Sequence, residues 1–469
     1  MSTSRLHAFT DDAMGDLDAT GIAARIAAGE VTAREVVAAA IARAERVGPS
    51  LGAFACTDFE RALAACDNLP SGPFTGVPTA IKDNTGACGL PTQCGTATFE
   101  AAPATVDGEF SRQLLDAGMV ALGKSRLPEF AFNITTEFTD KEPARNPWDT
   151  GRSTGGSSGG AAALVAAGIV PIAHATDAGG SIRIPAAACG LVGLKPSRGR
   201  TLVDAGDRIM PVKVAVQGVL SRSVRDTARV MAEAERRYRN PALPPIRAVE
   251  GAGRTRLRIG VVTTSPTGSS FDAPTRASID ASIALLTGLG HRVEETTLPV
   301  PADYWDTFGK YLGLFTFAFK HNGRRMFGPD FDHRKLENNT RGLADLFRRN
   351  AARTPQMLYR LRRIGRQYVG MFTRYDVLLS PVVGHITPEL GYHSPAQEFE
   401  SWFERVVSYD CLAPLNNISG TPAISLPLHA ADSGIPLGAL FAAAPGDERT
   451  LLELAFELEE ASPWRRITD

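Results

Sequence analysis

Between residues 151 and 185 the chain sets two glycine-rich turns at either end of one apolar block, and few folds accept that arrangement. The first turn, Gly151 to Gly160, holds five glycines and three serines and contains the run Gly-Gly-Ser157-Ser158-Gly-Gly. Ala161 to Ala167 then has the composition of a helix, and Ile169 to Ala175 reads as a buried strand. The strand feeds the second turn, Asp177-Ala-Gly-Gly-Ser181-Ile-Arg-Ile-Pro185. A strand without a polar face needs cover on both sides, so the segment predicts a sheet held between helices.

The rest of the chain repeats that alternation. A helix is expected from about Asp18 to Ala28, stopping at Gly29. A second is announced by the capping box Thr32-Ala-Arg-Glu35 and runs to about Val47, before Gly48-Pro49. A short strand, Val77 to Ile81, delivers Lys82 at its end. Ser111 to Ala117 predicts a helix ending at Gly118, and Met119 to Leu122 a strand. Residues 239–254 are rich in proline, glycine and charge and read as a surface connector. Beyond it, strand 257–263, a helix ending near Gly290 and strand 291–297 form a βαβ unit. Residues 300–370 read as helical and rich in Phe and Arg. Tyr375 to Ser380 and Ala423 to Leu428 read as buried strands, and Leu451, Leu454, Ala455 and Leu458 mark a closing amphipathic helix.

Composition narrows the function classes. The net charge of -1 offers no nucleic-acid surface, and the basic run Tyr359 to Arg366 has the spacing of a solvated helix face. The six cysteines show no metal or C-x-x-C spacing, which fits reduced thiols in a cytoplasmic protein. Met1 to His7 lacks an apolar run, and the longest apolar stretch, Ala161 to Ala175, is too short for a bilayer. Neither a leader nor a membrane span is expected. Among the eight histidines no H-x-x-H or H-E-x-x-H occurs, so neither a catalytic metal nor a cofactor is expected.

The two turns and Lys82 carry chemistry. An amide resists attack because its carbonyl is resonance-stabilised and its amine leaves poorly. A catalyst therefore needs an activated nucleophile, a proton donor for nitrogen, and donors for the oxyanion. Ser181 lies in a turn whose glycines let the N–H groups of residues 178–181 converge, each donor being worth about 2.7–4 kcal/mol in a transition state. The Ser157-Ser158 loop lacks the Gly-Lys-Ser/Thr of a phosphate cradle, since Gly160 is followed by alanines. Lys82 follows an apolar strand, where burial would bring its amine from about 10.4 toward 7–8 and make it a base. His174 reads as a hydrogen-bonded core histidine, and Asp177 and Arg183 as turn anchors paired with each other.

These motifs resemble those of the amidase signature family. The run Gly155-Gly-Ser-Ser-Gly-Gly followed by Asp177-x-Gly-x-Ser181-Ile-Arg183-x-Pro185 carries the likeness. So do Asn146-Pro-Trp, Gly190 to Pro196, Tyr375 to Pro381 and Asn417 to Pro427. The resemblance implies an α/β fold: one α/β/α domain over 1–469, on a mixed, largely parallel sheet flanked by helices. Within it 1–70 would be N-terminal helices, 71–238 the catalytic core, 255–400 a βαβ and helical substrate side, and 401–469 a closing segment. It implies Ser181 as nucleophile, Lys82 as general base, and Ser157, after a cis Gly156–Ser157 peptide, as the bridge between them. The N–H groups of Ala178, Gly179, Gly180 and Ser181 would form the oxyanion hole. Ser158 would support the lysine, and Phe130 and Phe132 would line the acyl site.

The expected activity is hydrolysis of a small or medium carboxamide, linear or cyclic, through an acyl-serine, with accompanying esterase activity. The partner is a small-molecule amide; a homodimer is compatible with the sequence. Two alternatives stand beside it. A glutamine-hydrolysing amidotransferase subunit usually carries glutamine where this chain has Ile184. A catalytically silent scaffold would be free to lose the lysine or either serine, and all three are present.

Overall fold

The computed structural model describes residues 5–469; residues 1–4 of the Met1 to His7 stretch, where no leader is expected, lie outside the described residues. Helix Ala19–Ala27 starts where the Asp18 carboxylate accepts the Gly21 N–H at 2.9 Å. The capping box forms as expected: Thr32 Oγ1 accepts from Glu35 N at 3.2 Å, and Glu35 Oε2 from Thr32 N at 2.7 Å. That helix, Ala33–Leu51, does not stop before Gly48-Pro49. It continues through both, burying Val47, Gly48 and Leu51, and ends where Gly52 turns left-handed at φ 58°. A proline in the last turn costs one backbone bond, and burial of the flanking apolar residues outweighs it.

Thirteen strands are found among the described residues. Three make a small sheet in the order β1–β3–β2: β1 (Phe54–Thr57), β2 (Pro78–Lys82) and β3 (Val120–Ser125). A ribbon, β4 (Arg145–Asn146) with β5 (Asp149–Ser153), leads into the serine loop. The large sheet uses β6 (Ile172–Asp177), β7 (Val192–Lys195), β8 (Val216–Ser221), β9 (Arg258–Val262), β10 (Arg292–Thr296), β11 (Val377–Pro381), β12 (Ala423–Ala430) and β13 (Pro436–Ala443). Its order is β10–β9–β11–β13–β12–β7–β8–β6.

The sheet is mixed, yet the expectation that it is largely parallel is corrected. Only β10–β9 and β9–β11 run parallel; the other five neighbouring pairs are antiparallel. The cause is three strands that the sequence reading does not mark, β7, β8 and β13. β13 returns from β12 as a hairpin, and β8 slots between β7 and β6 against both of them. Helices cover both faces. Val224–Arg237, Ala273–Gly288 and Glu448–Ala461 bury one side with Ile259, Leu379, Ile424 and Leu454. Tyr304–Phe327, Asn338–Asn350, Thr354–Val369 and Phe399–Tyr409 bury the other with Trp305, Phe308, Leu378 and Tyr409. This is an α/β/α layering. No helix of the described residues is long and apolar enough to cross a membrane.

The small sheet is joined to the large one by side chains. Thr79 Oγ1 donates to the Ile172 carbonyl at 3.0 Å, and the Lys82 N–H donates to His174 Nδ1 at 3.1 Å. The end of β2, where Lys82 sits, is thereby fixed against β6, which delivers the Asp177 turn.

Candidate active site

Helix Gly159–Ala166 is buried all round, so its N-terminal loop is pressed into the protein interior. At that loop the Gly156–Ser157 peptide is cis, as expected. A Cβ on Gly156 would come within 2.7–2.9 Å of the backbone of Ile134 and Thr135, so only glycine lets these two loops pack here. Ser157 and Ser158 are fully buried.

Lys82 meets this loop from the other side. It is fully buried, and its Nζ lies 2.8 Å from Ser157 Oγ, 2.9 Å from Thr176 Oγ1 and 3.4 Å from the Thr176 carbonyl. Burial pushes the amine down to about 7, against the opposing pull of Asp177 and Asp207. A neutral amine has two hydrogens and one lone pair. The two oxygens of Thr176 accept the hydrogens, and the lone pair is left for the Ser157 hydroxyl. Asn84 Nδ2 donates to the same Thr176 hydroxyl at 3.1 Å and holds it in place.

The second turn is built around Asp177. Its carboxylate accepts the Gly180 N–H at 2.7 Å, the Ile182 N–H at 3.1 Å, and two hydrogen bonds from Arg183, both at 2.9 Å. Asn417 Nδ2 donates to it at 2.9 Å and Asn417 Oδ1 accepts from Arg183 at 2.7 Å. Burial alone would raise the Asp177 carboxyl; the Arg183 guanidinium outweighs it and holds the group well below the usual range. The expected Asp177–Arg183 pair is thus present and buried. Gly180 turns at φ 122°, where a Cβ would strike Ile184 at 2.7 Å, so the bend before Ser181 requires glycine.

Ser181 is half-buried at this bend and lines the same cavity as Ser157, Ala178 and Gly179. No hydrogen bond joins Ser181 to Ser157 among the described residues. Gly180 departs from expectation: Asp177 takes its N–H, which leaves Ala178, Gly179 and Ser181, all on the cavity wall, of the four expected donors. Ser158 also differs. Its hydroxyl donates to the Thr176 carbonyl at 3.3 Å and so reaches Lys82 only through that carbonyl. Phe130 and Phe132 both line the cavity, packed against Phe319 at centroid distances of 4.9 and 6.0 Å.

His174 is the core histidine expected. Its Nδ1 accepts from Lys82 N, its Nε2–H donates to Gln217 Oε1 at 2.7 Å, and burial pushes the ring down to about 4. The reading of the sequence passes over Thr176, Asn417, Asp207 and Asp410. Thr176 had a signal: alternation along β6 puts it on the face of His174, two polar positions in an apolar strand. Asn417 meets Asp177 across 240 residues, too far along the chain to leave one.

The chain belongs to the Amidase family, whose profile matches residues 35–452, and is a hydrolase of amide C–N bonds with the amidase signature fold. It is 48% identical over 464 residues to the AmiC protein of Mycobacterium leprae (strain TN), covering 99% of each chain. It is 34% identical over 479 residues to the 6-aminohexanoate-cyclic-dimer hydrolase of Paenarthrobacter ureafaciens, covering 95% of each. A solved 6-aminohexanoate cyclic dimer hydrolase with bound substrate superposes at a TM-score of 0.88 with 30% identity, over 97% of this chain and 98% of that one. A bacterial aryl acylamidase superposes at 0.83 with 26% identity, over 96% and 97%.

Proposed function

We propose that the protein hydrolyses small or medium carboxamides through an acyl-Ser181 intermediate. The observation that carries this reading is the fully buried Lys82 amine, brought down to about 7, 2.8 Å from Ser157 in the wall that also holds Ser181. Ser181 Oγ attacks the carbonyl carbon while its proton passes by way of Ser157 to Lys82 Nζ. The oxyanion forms beside the N–H groups of Ala178, Gly179 and Ser181. The tetrahedral adduct then expels nitrogen, which takes the proton back from Lys82 through Ser157. Water attacks the ester by the same relay in reverse and frees the carboxylate and Ser181. Esters, with better leaving groups, form the same acyl-enzyme and are turned over as well.

The cavity disfavours the amidotransferase alternative: its lining holds no lysine, arginine or histidine to receive the α-carboxylate of glutamine. The test is Ser181→Ala, for which turnover of aryl amides and aryl esters falls by at least about 10³-fold. A fluorophosphonate should label wild-type protein once, on Ser181. Undiminished turnover in the variant, or a label elsewhere, overturns the assignment.

A further inference from the structure

The cavity beside Ser181 is aromatic and acidic, with no cation in its wall. Trp305, Phe308, Phe315 and Trp402 line it together with Asp177, Asp207 and Asp410. Asp177 is neutralised by Arg183, and Lys82 is spent on Ser157 and Thr176. Asp410 has no such partner. It is 1% exposed, forms no salt bridge, and its Oδ1 has no hydrogen-bond partner among the described residues. Its backbone is fixed: the carbonyl accepts the Trp305 indole N–H, and its own N–H donates to the Val406 carbonyl at 2.8 Å. The orphan oxygen is therefore held in a rigid aromatic wall, where an unmet acceptor is costly and a donor brought in by a ligand would relieve it.

We propose that this cavity selects amides that carry a positively charged nitrogen, which Asp410 receives among the rings of Trp305, Phe308 and Trp402, and rejects amides that carry a carboxylate. The proposal rests on the amidase reading above and adds the substrate class. An ammonium leaving water needs a carboxylate or an aromatic face to offset its lost hydration, and this wall supplies both. A carboxylate entering the same space meets no lysine, arginine or histidine in the wall to pair with. Burial holds the Asp410 carboxyl well above its usual range, opposed by Arg183, and a cation seated beside it would pull the group back down.

The experiment uses the full chain and two readouts. Titration of tryptophan fluorescence with benzylammonium, benzyl alcohol and benzoate should show the ammonium binding about tenfold tighter than the alcohol, and benzoate not saturating. In turnover, kcat/KM for an aminovaleryl nitroanilide should exceed that of the valeryl analogue by about tenfold, and Asp410→Asn should bring the ratio to within about threefold. Equal binding of the three probes, a preference for benzoate, or an unchanged ratio in Asp410→Asn overturns the proposal. Should that variant fail to fold, Asp207→Asn takes its place: a retained preference supports Asp410, and a lost one overturns its role. Ser181→Ala separates the two readings. An ammonium preference kept while Ser181 proves dispensable for turnover sinks only the catalytic reading. No preference in a protein whose Ser181 is labelled sinks only this one.

Discussion

Lys82 shows how one residue can be costly to the fold and central to the proposed chemistry. Its amine is pushed from 10.5 to about 7 by burial, so between those values the unfolded chain binds more protons than the folded one and stability rises with pH. Below about pH 7 the whole penalty is present. Lys82→Met removes it, and the variant should melt about 3 °C above wild type at about pH 6. The gap closes as pH approaches 10.5. A melting series across pH checks this, and a gap that widens with pH would contradict the burial of a neutral amine. In the wild type kcat/KM should climb through about pH 7 as the amine loses its proton, and the variant should lose that limb together with its activity. Lys82, Ser157 and Ser181 were legible because each stands in a short motif whose neighbours dictate its backbone. Asp410 was not, because what defines it is the partner it lacks, and Thr176 showed only as a polar position in an apolar strand. Thr176 meets Lys82 across 94 residues of chain.

At the scale of elements, the turn between β6 and helix Arg183–Cys189 is clasped by a segment from far away. Asn417, in helix Pro414–Ser419, donates to the Asp177 carbonyl at 3.0 Å, to its carboxylate, and to the Val214 carbonyl at 3.1 Å. Asn417→Ala strips partners from a buried carboxylate and a buried guanidinium at once, which should cost about 3 kcal/mol in denaturant unfolding. Displacement of Ser181 by even about 1 Å should lower kcat/KM by about 10²-fold. Full activity in the destabilised variant would mean that the turn positions Ser181 unaided. The sequence announced this turn through its glycines, yet gave no hint of the clasp. For the same reason the sheet was expected to be largely parallel: alternating helices and strands suggest crossovers, and nothing local to Pro436–Ala443 says that it turns back on β12.

For the molecule as a whole, the large sheet interleaves early and late parts of the chain. β6, β7 and β8 lie before the 239–254 connector and β9 to β13 after it, meeting where Ala423 to Ser425 pair with Gly193 to Lys195. Polar contacts reinforce that seam: Arg200 pairs with Glu448 at 2.9 Å, and Glu448 also accepts the Ser197 N–H at 2.7 Å. Arg254 in the connector is exposed. Brief trypsin treatment of native protein should cut after it and leave two fragments that co-elute on gel filtration and retain amidase activity. Fragments that separate without denaturant would show the seam to be too weak to hold.

The seam and the clasp together set an order of events during synthesis. Asp177 and Asn417 lie 240 residues apart. A chain still emerging from the ribosome therefore carries lysine and both serines for most of translation without the amide that secures the turn between them. The turn that carries Ser181 is fastened only when the last portion of the polypeptide arrives.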